Sequence, residues 1–223
     1  MSSASNAQES FFNEADAFFK TNVKDGKVAY SDIKKNPEAL NTLVDQLNQI
    51  KINKENENEF KAFWINAYNL LTIKGIVDYY PVKSPLDISG FFDKTTYKIS
   101  GKSLTLNGIE NDVLRGNFND PRFHFVLVCG AVGCPPIIDE AYKPSTLNAQ
   151  LDQQTKLALN GSFLKVNEKK KRVEASEIMK WYNEDFVRNG QSEIDFINIY
   201  RTEKIPTDYK LSFYPYNWTL NNQ

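Results

Sequence analysis

Apolar positions along the chain recur mostly at helical spacing. Phe11, Phe12, Ala15, Phe18, Phe19 and Val23 fall on one face of residues 9–23, and Leu40, Leu43, Val44 and Leu47 do the same in 37–50. That spacing predicts two amphipathic helices. Asp25-Gly26 marks a turn between them, followed by an extended piece. Farther on, Phe60, Phe63, Trp64, Ala67, Leu70 and Leu71 form a band too wide for a surface helix, so a helix near 57–74 is predicted at the centre of the fold. Glu59, Asn66 and Asn69 share one stripe of it. A buried amide without a partner costs about 1–3 kcal/mol, so Asn66 and Asn69 either tie neighbouring loops to this helix or line a pocket.

The rest of the chain mixes the two periods. Tyr97, Ile99, Leu104 and Leu106 surround Ser100-Gly101-Lys102, which predicts a hairpin over 95–106. A short capped helix is expected over 107–115 and an amphipathic one over 145–160. A second hairpin pairs 163–166 with 172–175 around the solvated run Glu168-Lys169-Lys170-Lys171. Helices follow over 178–188 and near 194–200, and alternation through Leu211 and Phe213 suggests a last strand. Phe123 to Cys129 is apolar except for His124 and rich in aromatic and β-branched residues, so it reads as a strand near 122–129 buried on both faces. The expected class is therefore α+β (mixed α/β), with a small central sheet packed against several helices. Residues 1–8 are small and polar and are set outside the fold, with 9–56 packed on a core of 57–221. The first eight are read either as an expression remnant or as the end of a signal peptide. The second origin implies export to the periplasm or outside the cell; otherwise the expectation is cytoplasmic.

Composition narrows the function classes without choosing one. The 223 residues are 41% hydrophobic and 25% charged, close to the globular average, and suit a single domain. A net charge of −1 offers no electrostatic handle for nucleic acid or an anionic membrane. No stretch resembles a membrane span.

The candidate chemistry is concentrated between residues 124 and 134, which hold the only histidine and both cysteines. Gly130 and Gly133 punctuate the chain there, and Cys134 is followed by Pro135 and Pro136. Proline suits the first position of a helix, so Cys134 is expected at a helix N-cap, where the unpaired amides would favour its thiolate. Pairing it with His124 as base meets a geometric objection. On an extended strand His124 and Cys129 lie on the order of 16 Å apart and point to opposite faces. The same separation argues against a zinc site, so neither metal nor cofactor is expected. A base for Cys134 would come from Asp139 or Glu140. In the plainer alternative His124 is a buried neutral ring, and the cysteines are inert thiols or a disulfide, which requires Cα atoms within about 7 Å.

Four segments together resemble a known family. Phe63-Trp-Ile-Asn-Ala-Tyr-Asn69, Asp120-Pro-Arg-Phe-His-Phe125 with Cys129-Gly-Ala-Val-Gly-Cys-Pro-Pro136, Glu140-Ala-Tyr142, and Tyr216-Asn-Trp-Thr-Leu-Asn221 look like the DUF547 domain over roughly residues 57–221. Where the family often ends Tyr-Asp-Trp-Ser-Leu-Asn, this chain has Asn217 and Thr219, and Gly133 stands where a serine often precedes the second cysteine. The family occurs in bacteria and eukaryotes and has no established reaction, so the resemblance implies residues to watch: Asn66, Asn69, Arg122, His124, Cys129, Cys134, Glu140 and Asn221. The expectation is a thiol-dependent hydrolase or transferase acting on a small molecule or peptide. Cys134 would be its nucleophile, with Glu140 or His124 orienting it and Asn66, Asn69, Arg122, Cys129 and Asn221 binding the ligand. The alternative is a non-catalytic ligand- or protein-binding module whose Cys129 and Cys134 are structural.

Overall fold

The computed structural model describes residues 3–223, and its organising element is helix α4, Glu57–Tyr79. Asn56 caps it by accepting the Glu59 amide, and from Phe60 to Val77 nearly every side chain is buried. The broad apolar band thus does what its width predicts: it faces protein on all sides. Packed on it are α2 (Tyr30–Lys35) and α3 (Glu38–Gln49), and the N-terminal helix α1 (Ser3–Asn22) packs on those two and reaches α4 through Phe11. The Phe11 and Phe63 rings lie 5.5 Å apart. Two expectations for this region change. The piece after the Asp25-Gly26 turn contains α2 rather than extended chain, and α1 takes in residues 3–8, which the sequence reading set outside the fold. Met1 and Ser2 lie outside the described residues.

The fold is α+β. Among the described residues the strands form three small antiparallel or mixed sheets: β1 (Val23–Lys24) with β2 (Lys27–Val28), β3 (Tyr97–Ile99) with β4 (Lys102–Leu104), and β5 (Leu164–Asn167), β6 (Arg172–Ser176) and β7 (Lys210–Tyr214). In the last, β5 and β6 are the expected hairpin, while β7 joins β6 in parallel. Helices α5 (Leu147–Asn160), α6 (Ile178–Trp181), α7 (Asn183–Phe186) and α8 (Glu193–Tyr200) complete the chain. The single helix expected over 178–188 is divided into α6 and α7.

One correction moves the site. Residues 122–129 do not form a strand; Pro121–Phe125 is a 3₁₀ helix, followed by irregular chain through Cys129. Asp120 accepts the Arg122 amide and Pro121 occupies the first helical position, a start signal that prevails over the strand-like composition downstream. Nor does a helix begin at Cys134, since the next one is α5 at Leu147. Cys134 and Pro135 each precede a proline, and that neighbour pushes both toward extended backbone.

Candidate functional site

Because a 3₁₀ helix rises only about 2.0 Å per residue, His124 and Cys129 are not carried apart as a strand would carry them. Both line one cleft of about 310 Å³, together with Tyr68, Phe92, Asn107, Glu110, Leu127, Trp181, Tyr182 and Trp218. The strand spacing of about 16 Å between His124 and Cys129 therefore does not apply, while Cys134, whose pairing with His124 it opposed, does not line this cleft. His124 is 3% exposed, stacked on Tyr182 with ring centroids 4.1 Å apart. Its Nε2 lies 2.8 Å from Asp185 Oδ2. An ionised carboxylate only accepts, so Nε2 carries the proton and donates it there. Nδ1 is left facing Glu110 Oε1 at 3.9 Å.

Asp185 is the anchor of this arrangement. It lies on α7, is buried, and also accepts from Arg115 Nε at 2.6 Å and Arg188 Nη2 at 2.7 Å. Burial pushes its carboxyl up, but the hydrogen bonds from His124 and Arg115 outweigh that and hold it well below the usual carboxylate range. Glu110 is likewise buried and comes from a π-helical segment, Gly108–Arg115. Segments of that kind are frequent at functional sites because the wider turn displaces side chains from their α-helical positions. Burial and then Glu110 push the Tyr182 phenol far above its ordinary value, so it stays protonated beside that carboxylate. Trp181 and Trp218 stack with centroids 6.0 Å apart and form the aromatic wall of the cleft.

Cys129 and Cys134 form a disulfide, with Cα atoms 6.4 Å apart. The Tyr216 hydroxyl sits across it, 2.8 Å from Cys134 Sγ, to which it donates, and 3.0 Å from Cys129 Sγ. Cys134 Sγ also accepts the Cys129 amide at 3.0 Å. The turn needs its glycines: Gly130 has φ +82°, and a Cβ at Gly133 would meet the Asn217 backbone N and O at 2.9 Å each. A serine at 133 would push that strand-like segment away.

The other expected residues are placed as follows. Asn66 donates to the carbonyls of Ala62 and Tyr142 and accepts the Tyr142 amide. Asn69 donates to the Val126 carbonyl at 3.0 Å and accepts the Val128 amide at 2.9 Å. Both tie loops to α4, one of the two roles expected. Arg122 is forked onto Asp120 and reaches Asp152, Glu140 is exposed, and Asn221 accepts from the Tyr30 hydroxyl at 2.8 Å. None of these lines the cleft. Cys134 is 9% exposed and borders a separate cavity beside Pro135 and Pro136. Glu110, Asp185 and Tyr216, which do shape the site, are not among the residues expected there. Tyr216 had a signal in the family-like segment Tyr216–Asn221, whereas Glu110 beside Asn111-Asp112 and Asp185 beside Asn183-Glu184 do not stand out from their polar neighbours. No group of three or more potential metal ligands is gathered among the described residues, and no described helix is long and apolar enough to cross a membrane.

No curated protein and no solved structure matches this chain. The family model described as "Protein of unknown function, DUF547" matches residues 52–157, a span that holds α4, Glu110, His124 and both cysteines but stops short of Asp185 and Tyr216. The match supports a DUF547 family domain over that span.

Proposed function

We propose that the cleft over His124 is the active site of a thiol-dependent hydrolase or transferase acting on a small molecule or peptide, with Cys129 rather than Cys134 as its nucleophile. One observation carries this reading: Cys129 shares the cleft with an imidazole whose Nε2 is tied to a buried carboxylate. Nucleophile, base and orienting group are the recurring parts of acyl-transfer sites. The thiol form arises when an external dithiol reduces the disulfide and is itself oxidised, leaving thiols on Cys129 and Cys134. His124 Nδ1 then takes the Cys129 proton, and Asp185 and Glu110 stabilise the imidazolium. The thiolate attacks a carbonyl carbon, His124 returns the proton to the leaving group, and water or an acceptor releases the acyl group from sulfur. The aromatic wall of Trp181 and Trp218 would hold a flat or apolar part of the substrate.

The test isolates Cys129 in a Cys134→Ser variant and follows iodoacetamide alkylation against pH. Alkylation should titrate below the pKa of a free thiol, about 8.5, and His124→Ala in that background should slow it at least about tenfold at neutral pH. Equal rates with and without the imidazole would sink the proposal. The second reading, a binding module with a structural disulfide, is favoured by the Tyr216 hydroxyl spanning both sulfurs. It expects no activated thiol and ligand binding indifferent to reduction.

A further inference from the structure

The two sulfurs of the disulfide are not equivalent. Cys129 is partly exposed and lines the aromatic cleft, whereas Cys134 is 9% exposed. Hydrogen bonding divides them in the complementary sense. Cys134 Sγ receives the Cys129 amide at 3.0 Å, which has no counterpart on Cys129 Sγ, and the Tyr216 hydroxyl lies nearer to it, at 2.8 Å against 3.0 Å to Cys129 Sγ. Donors aimed at a sulfur favour its thiolate, and a thiol that is more stable as thiolate leaves faster in disulfide exchange. Cys129 thus offers the accessible sulfur and Cys134 the better leaving group.

We propose that the Cys129–Cys134 bond is a thiol-exchange site at which a small-molecule thiolate enters through the cleft and is captured on Cys129. The incoming sulfur forms a new S–S bond to Cys129 Sγ as the Cys129–Cys134 bond breaks, and the electron pair of that bond goes to Cys134 Sγ. Thiolate is consumed and thiolate is released, so the first step needs no oxidant or other reductant. A second thiolate attacking the captured sulfur frees Cys129 and completes the reduction. A cleft of about 310 Å³ suits a small thiol, which has room beside the indoles. Burial pushes the Tyr216 phenol far above its ordinary value, so the hydroxyl keeps its proton and remains a donor to the departing sulfur throughout the working pH range.

The experiment treats the oxidised full chain with N-acetylcysteine at neutral pH, quenches with acid and maps the adduct by peptide mass spectrometry. The expected product carries N-acetylcysteine on Cys129 with Cys134 free. An adduct on Cys134, or adducts that form only after the protein is unfolded in urea, would overturn the proposal. Tyr216→Phe keeps the ring and removes the donor, and reduction of that variant by dithiothreitol should slow by about tenfold, the worth of one hydrogen bond to the departing thiolate. An unchanged rate in a variant whose circular dichroism matches the parent removes Tyr216 from the step. If that variant does not fold, the adduct map of the unaltered chain decides alone. Exchange at Cys129 does not require His124 as a base, so the adduct can form even where His124→Ala leaves alkylation unchanged and the acyl-transfer reading fails.

Discussion

Asp185 is the residue through which the site most directly affects stability. In the unfolded chain its carboxyl titrates near 3.9; in the folded protein burial opposes, and the His124 and Arg115 hydrogen bonds overcome, its tendency to hold a proton, so its pKa lies well below that. A depressed carboxyl lends stability that is complete above the unfolded value and is lost as acid carries the pH down toward the folded one. Asp185→Asn should therefore destabilise the protein at pH 7 by about 3 kcal/mol, because Arg115 and Arg188 lose a buried partner. It should also flatten the fall in stability below about pH 4. Urea midpoints measured from pH 7 down to pH 3 check both. Parallel slopes for parent and variant would mean that other carboxylates govern the acid limb. The same substitution replaces the charged acceptor that orients His124 by a neutral amide, which ties site geometry and acid stability to one side chain.

At the scale of the element, α4 is the piece that decides where the cleft can form. Asn69 projects from its buried face and satisfies two backbone groups of the segment leading to Cys129, the Val126 carbonyl and the Val128 amide. Asn69→Ala leaves both without partners, a cost of about 3 kcal/mol in total. The denaturant midpoint should fall with no change in slope, as for a change in stability without a change in compactness, and amide exchange at Val128 should quicken. A loss below about 0.5 kcal/mol would mean that water replaces the amide there. Helix α4 itself was legible from Phe60 to Leu71, because an apolar band that wide has only one satisfactory place. The hairpins around Gly101 and Lys170 were legible from alternation broken by turn residues. The 3₁₀ helix at Pro121–Phe125 was not, since Phe-His-Phe-Val-Leu-Val has the composition of a buried strand, and the contrary signal lay in the two residues before it, Asp120 and Pro121. His124 was found and its partner was not. Periodicity reports which face of an element is buried; it carries no information about a hydrogen bond formed across 61 residues.

At the scale of the whole molecule, residues Trp218–Gln223 join parts of the chain that lie far apart in sequence. The Leu220 amide donates to the Lys83 carbonyl and the Asn221 amide to the Gly130 carbonyl, while the Val28 amide donates to the Asn221 carbonyl and the Gln223 amide to the Val28 carbonyl. Trp218, two residues before Leu220, belongs to the cleft wall. The N-terminal hairpin, the disulfide turn and the aromatic wall are therefore held by one strip of backbone, and they should unfold together. Tyr30 and Asn221 test that coupling most sharply, because the buried Tyr30 hydroxyl donates to Asn221 Oδ1. Asn221→Ala strands the hydroxyl and should cost about 2 kcal/mol, whereas in a Tyr30→Phe background there is no hydroxyl to strand and the same change should cost about 1 kcal/mol less. In each variant tryptophan fluorescence, which samples Trp64 in the core and Trp181 and Trp218 at the cleft, should report the same midpoint as far-ultraviolet circular dichroism. Separate midpoints for the two probes, or strictly additive losses in the double variant, would mean that this strip covers the N-terminal hairpin without coupling it to the cleft.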